Sequence, residues 1–158
     1  MNQTRDMEFR SKLGMKGHCH IELRGPDGKL KETRDIINTI TNLMDEQVAD
    51  QMSDQGNAAI GYMAVGTGNG QGAADVGLAV SLDRNALTST TQQAGADDND
   101  VVYVGTWVAG DGTGAITEAG ILRGDDNTSM MTYADFAVVN KLAADSMVIT
   151  WTVTFGVS

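Results

Sequence analysis

The sequence predicts a mainly β chain built as a two-sheet, jelly-roll-like β-sandwich, and three observations carry that prediction. Short apolar runs recur along the chain with turn-forming clusters of Gly, Asp and Asn between them. Glycine is abundant, at 19 residues, while Pro26 is the only proline, which suits many tight turns between strands. The C-terminal segment alternates, with Met147, Ile149, Trp151, Val153 and Phe155 on one face and a mainly polar set on the other. A chain of 158 residues is long enough for one domain that buries about 70% of its unfolded surface. Aromatic residues make up only 5%, so the core must rest on aliphatic and methionine side chains.

Taken in order, residues 1–16 are polar and without helical periodicity, and read as an extended N-terminal arm ahead of a sandwich domain over 17–158. Within the arm, Met7, Phe9, Leu13 and Met15 alternate as an added strand would. Residues 17–24 alternate too, with His18, His20, Glu22 and Arg24 opposite Cys19, Ile21 and Leu23. Gly25-Pro26-Asp27-Gly28 is a turn sequence, so 17–36 is expected to form a hairpin. Ile40, Leu43, Met44, Val48 and Met52 then fall at helical spacing, which predicts one amphipathic helix near 40–53. Thr39 or Asn42 would cap it, Asp45 and Glu46 suit its positive end, and Gly56 follows it. Strands are expected at 59–66, 86–93, 101–109, 115–122, 130–139 and 146–156, which with the hairpin gives about eight.

Net charge is −10, and it is unevenly placed. Arg5, Arg10, Lys12, Lys16, Arg24, Lys29, Lys31 and Arg34 all precede residue 36, which leaves the rest of the chain strongly acidic. An acidic body argues against nucleic acid as a partner, because phosphate neutralisation dominates such binding. The basic arm fits an acidic protein surface instead. No run of apolar residues reaches the length of a membrane span, and the start lacks the apolar core of a secretory signal, so synthesis in a cytoplasm is expected. Cys19 is the only cysteine, which excludes a disulfide framework within the chain and leaves a bridge to a neighbouring subunit as the remaining use of an exposed thiol.

The glycines at 66, 68, 70 and 72 invite a phosphate-binding reading, which the pattern refuses. A P-loop needs Lys-Ser/Thr after its glycines, and the dinucleotide fingerprint needs G-x-G-x-x-G inside a βαβ unit. Neither is present, and the segment reads as a flexible strand exit. His18, Cys19 and His20 are the only cluster of soft metal ligands, but in a strand Cys19 points away from both histidines. Asp97, Asp98 and Asp100, or Asp125 and Asp126, lack the spacing of a calcium loop, and Arg123-Gly124-Asp125 is a three-residue match of no weight. With no nucleophile elbow and both histidines on one strand, no triad is expected. The sequence therefore points to a non-enzymatic protein with no cofactor.

The order of several segments resembles a family of small tailed-bacteriophage virion structural proteins. Asn38, Ile40, Thr41 and Asn42 match the family's helix entry, Ala64 to Gly68 its strand end, and Leu78, Leu82, Asp83 and Arg84 its Leu-x-x-x-Leu-acid-Arg segment. Glu118, Ala119 and Gly120, then Ile149 to Thr152, complete the likeness over roughly residues 17–157. Departures are the acidic loop at 94–100 and the arm at 1–16. The resemblance implies a capsid decoration (cement) protein, or else a tail, baseplate or tail-fibre adaptor, and it transfers no catalytic residues. Its expected partners are a major capsid protein and copies of itself, as a trimer or other symmetric oligomer, on the virion and most readily on the head surface. Neither nucleic acid nor membrane is expected as a partner. Arg5, Phe9, Arg10, Lys12 and Lys16 are the expected contact residues. A carbohydrate- or metal-binding module using His18, His20 and the acidic loops is the competing reading from another class.

Overall fold

A computed structural model describes residues 14–156. Ten strands, one α-helix and a short 3-10 turn follow one another in the described residues as β1 (Met15–Arg24), β2 (Leu30–Ile37), β3 (Thr39–Ile40), α1 (Asn42–Ser53), β4 (Tyr62–Gly66), β5 (Ser81–Ala86), β6 (Ser89–Gln92), the 3-10 turn (Gly95–Asp97), β7 (Asp100–Trp107), β8 (Gly114–Leu122), β9 (Met130–Lys141) and β10 (Ser146–Phe155). They form two five-stranded sheets, ordered β2-β1-β10-β7-β6 and β3-β9-β8-β4-β5, with every pairing antiparallel. The chain is thus the expected two-sheet sandwich.

Alternation places the core. In β1, Cys19, Ile21 and Leu23 are buried, and they meet Met147, Ile149, Trp151 and Val153 of β10. The second sheet answers with Met63 and Val65 of β4, Ile116, Ala119 and Ile121 of β8, and Met131, Ala134 and Val139 of β9. Trp107 and Trp151, the two tryptophans, are both fully buried and supply the bulk that a core poor in aromatics otherwise lacks. The β1–β2 hairpin closes as expected: the Gly28 N–H donates to the Gly25 carbonyl at 2.9 Å, and Gly28 adopts φ 77°, a conformation that glycine enters without a Cβ penalty.

Three boundaries differ from the sequence reading. First, β1 begins at Met15, so Lys16 stands in the sandwich, exposed and opposite Thr154, rather than in an arm that ends at residue 16. Second, residues 86–93 are not one strand. The chain crosses between sheets at Leu87 and Thr88, whose N–H groups donate to Gly61 of one sheet and Val104 of the other. Leu87 packs on the core at this crossing, β5 precedes it and β6 follows it. Third, the helix starts at Asn42, because Thr39 and Ile40 pair with Tyr133 and Thr132 as the short strand β3. Thr41 occupies the capping position but spends its hydroxyl on the carbonyls of Met130 (2.6 Å) and Met131 (3.0 Å). That bond ties the helix entry to β9 in place of a side-chain cap.

Candidate functional site

The glycine-rich segment that follows β4 is not a flexible exit. It is tied down over the outer face of the second sheet by one fully buried carboxylate, Glu118. Between Ile116 and Glu118 the β8–β9 register shifts, with the extra residues on β9, and here Thr117 and Glu118 both bond to the glycine segment. Glu118 Oε1 accepts the N–H groups of Gly68 (3.0 Å) and Val80 (2.8 Å), and Oε2 accepts the N–H of Ala79 at 3.0 Å and the Tyr133 hydroxyl at 2.9 Å. The Thr117 hydroxyl donates to the Gly68 carbonyl at 2.7 Å. Burial, and then the bond to Glu118, hold the Tyr133 phenol well above its ordinary range. Farther along, Asn127 pairs both ways with the Leu78 backbone, at 2.9 and 3.1 Å, and Ala64, Leu78, Leu122, Met130 and Tyr133 form a second small core beneath the segment. No apolar alternation signals this arrangement; the one clue in the sequence is an acid, Glu118, within an otherwise apolar strand.

His18 and His20 lie on the outer face of β1 with Glu22, as expected, and β2 brings Asp35 between them. His18 Nε2 is 3.2 Å and His20 Nδ1 2.8 Å from the same Asp35 oxygen, and His20 Nε2 is 3.4 Å from Glu22 Oε1. Among the described residues, no group of three or more His, Cys, Asp and Glu is placed to hold a metal ion. What the row supports is an ion-pair ladder. Hydrogen bonding to Asp35 raises the His20 pKa above 6.5, against the opposing effect of its partial burial, and Glu22 adds to the rise. Because the folded value lies above the unfolded one, the pairing stabilises fully below about pH 6.5 and its contribution fades as pH climbs through the folded value. The effect on stability is small, since the pair is partly solvated. NMR titration should give a His20 midpoint above 6.5 that falls back toward it in Asp35→Asn; an unmoved midpoint would refute the assignment.

Cys19 is fully buried on the opposite face, where burial and then the Asp35 charge push its thiol far up. It therefore offers no bridge to a neighbouring subunit. The acidic turn at 125–126 is accounted for locally. Asp125 pairs with Arg84 at 2.8 Å, and Asp126 accepts the backbone N–H of Thr128 and the hydroxyl of Ser129 within its own turn.

An apolar groove of about 360 Å³ opens between α1 and one end of the first sheet. Met44 and Val48 of α1, Ile60, Tyr103 of β7 and Phe155 of β10 line it, and Met52 stands at its rim with 83% of its surface exposed. Phe155 is the register partner of Met15, and the Gly156 N–H donates to the Gly14 carbonyl at 2.8 Å. The described chain therefore begins beside the groove. Of the expected contact residues, Lys16 lies at this end on β1, while Arg5, Phe9, Arg10 and Lys12 lie outside the described residues. The groove itself was not legible in sequence, because Met52 follows the helix's apolar spacing and reads there as an ordinary core residue.

The fold and this end groove define a β-sandwich with an open apolar mouth beside the start of β1. No protein-family model, curated protein or solved structure matches the chain. No helix among the described residues is long and apolar enough to cross a membrane.

Proposed function

We propose that the protein is a non-enzymatic virion structural protein, a capsid decoration protein that binds and stiffens the lattice of a major capsid protein. The observation that carries this reading is the segregation of charge on the fold. A segment holding Arg5, Arg10 and Lys12 against Asp6 and Glu8, net +1, joins a sandwich of net −11 at a single end, through Gly14 and the exposed Lys16. Such a segment suits capture of an acidic neighbour by strand addition or charge pairing. Repeated over a symmetric oligomer on a lattice, modest contacts accumulate as avidity. The order of segments that resembles phage virion proteins supports the same reading.

Co-sedimentation with empty capsids of the virus that carries the chain tests it. Since β1 begins at Met15, the truncation should remove residues 1–13 and spare the β1–β10 pairing. The intact chain is expected to bind saturably at a fixed ratio per capsomer, and the truncated chain to lose at least tenfold in affinity. Equal binding by both would remove the arm from the contact. Binding only to tail assemblies would replace the decoration role with that of a tail, baseplate or fibre adaptor.

A further inference from the structure

We infer that the open edge of β2 is a self-association surface, to which β2 of a second copy of this chain pairs antiparallel about Thr33. The two first sheets then join into one continuous sheet across a two-fold axis. The inference goes beyond the virion reading and stands without it. The edge itself is the first argument. β2, β6, β3 and β5 end the two sheets, and β2, at eight residues, is the longest of them. Among the described residues, β1 is the only strand paired with β2, which leaves one row of its backbone N–H and C=O groups outside any ladder. Such an edge receives a further strand by main-chain hydrogen bonding. Leu30 and Ile37, 50% and 74% exposed, stand at its two ends.

Charge is the second argument, and it selects the occupant. Lys31-Glu32-Thr33-Arg34-Asp35 carries the signs plus, minus, none, plus, minus. Reversed, the run shows the opposite sign at every charged position. An antiparallel copy centred on Thr33 therefore sets Glu32 against Arg34 and Lys31 against Asp35, each pair occurring twice. Opposite charges directly across a strand pair stabilise it, and like charges there destabilise it. A slip of two residues, which keeps each side chain on its own face, puts Glu32 opposite Glu32 in one direction and Arg34 opposite Arg34 in the other. A strand with another sign pattern meets the same obstacle, which is how a charged edge keeps partners off. A second copy is an occupant whose signs match throughout.

Geometry is the third. Glu32 and Arg34 pair in register with Leu23 and Ile21 of β1, so they lie on the core side of the sheet, and they bond to each other within the strand. Arg34 also donates to the carbonyls of Thr33 (2.9 Å) and Val138 (3.3 Å), which hold its guanidinium beside the edge. Pairing about Thr33 closes the Glu32 and Arg34 side chains of the two copies into a ring of four alternating charges. Partial burial screens such a ring less than an isolated surface pair. Lys31 falls in the β1–β2 bulge and is held by Asp145, and Asp35 is held by His18 and His20, so the ring rather than the outer pairs sets the register. A two-fold contact of this kind is isologous and closes at two subunits.

Sedimentation velocity on the intact chain over a concentration series tests the surface. A monomer–dimer equilibrium is expected, weakened by added salt. Glu32→Lys and Arg34→Glu each set like charges across the ring, and each should raise the dimer dissociation constant by about tenfold or more. Mixed in equal amounts, the two variants complement one another, so a heterodimer is expected where neither associates alone. The double variant Glu32→Lys/Arg34→Glu should associate with itself again. Thr33→Asp, at an exposed position, sets two like charges across the axis and should weaken the dimer even if a ring variant fails to fold. A monomer at every concentration would overturn the proposal. So would association that Thr33→Asp leaves unchanged, or single variants that stay folded by circular dichroism and do not recover on mixing. No capsid enters these measurements, so their failure leaves the decoration reading standing, and failure of capsid binding leaves the dimer standing.

Discussion

Glu118→Ala is expected to lower folding stability by about 3–5 kcal/mol, a large share of the about 5–15 kcal/mol that holds a domain together. The side chain is fully buried and accepts from four donors: the backbone N–H groups of Gly68, Ala79 and Val80 and the Tyr133 hydroxyl. A carboxylate offers about four lone-pair sites, so its capacity is fully used. Alanine leaves those donors without a partner, and each one that stays buried costs about 1–3 kcal/mol. Glu118→Gln separates charge from shape. Its carbonyl oxygen can keep Gly68 and Val80, and the Tyr133 hydroxyl can turn to accept from the new amide, but the Ala79 N–H then faces an NH₂ group. A smaller loss of about 1–3 kcal/mol is expected. Urea denaturation gives both values. Hydrogen exchange at Gly68, Ala79 and Val80 should accelerate in each variant by more than at the slowest amides of β1 and β10, which rise only with the global loss; an equal rise at all of these positions would refute a local clamp.

The second large effect is expected at Lys141, which is 1% exposed at the end of β9. Its ammonium donates to the carbonyls of Val108 (3.1 Å) and Asp145 (2.7 Å), and so ties the turn between β9 and β10 to the end of β7. The Asp145 carboxylate pairs instead with Lys31 at 2.8 Å and accepts the Leu142 N–H at 3.0 Å. Lys141→Ala removes both donors and leaves a cavity, for an expected loss of about 2–4 kcal/mol. Lys141→Met keeps the volume and removes a buried charge, so its loss should be smaller, about 1–2 kcal/mol. Burial lowers the Lys141 pKa below 10.5, against the pull of Asp145, Asp111 and Asp83. Between that lowered value and 10.5 the unfolded chain binds more protons than the folded one, so the Lys141 contribution to stability rises with pH. The neutral amine still has two hydrogens for its two carbonyls, so deprotonation keeps the tie. The buried Cys19 thiol and Tyr133 phenol, raised in the fold, act in the opposite direction at alkaline pH. The difference between wild type and Lys141→Met isolates the lysine: wild type should gain relative to the variant as pH rises, and parallel curves would exclude the mechanism.

The candidate site was legible in the sequence only in part. His18 and His20 sharing an outer face, with Cys19 turned inward, follows from strand periodicity and needs no tertiary information. That Asp35 stands between the two histidines depends on the β1–β2 register, which the Gly25–Gly28 turn sets and which a pattern of single residues does not display. The groove depends on how α1 lies against the sheets, and a stripe of Met44, Val48 and Met52 carries no mark of which member will be left without cover.

What the sequence determined by itself was the class of fold, the β1–β2 hairpin and the inward faces of β1 and β10. Alternation and turn chemistry act over a few neighbouring residues, and these features involve nothing longer. Tertiary structure alone decided the rest. Ser81–Ala86 and Ser89–Gln92 are polar strands whose sheets differ only because Leu87 enters the core between them. Thr41 gave up its cap for bonds to β9, which lies some ninety residues away along the chain. Glu118 organised a glycine segment that looked free, because a buried carboxylate must gather donors from whatever backbone the fold brings within reach. Local pattern names the strands, and the need to satisfy buried polar groups over long distances decides where the remaining chain is held.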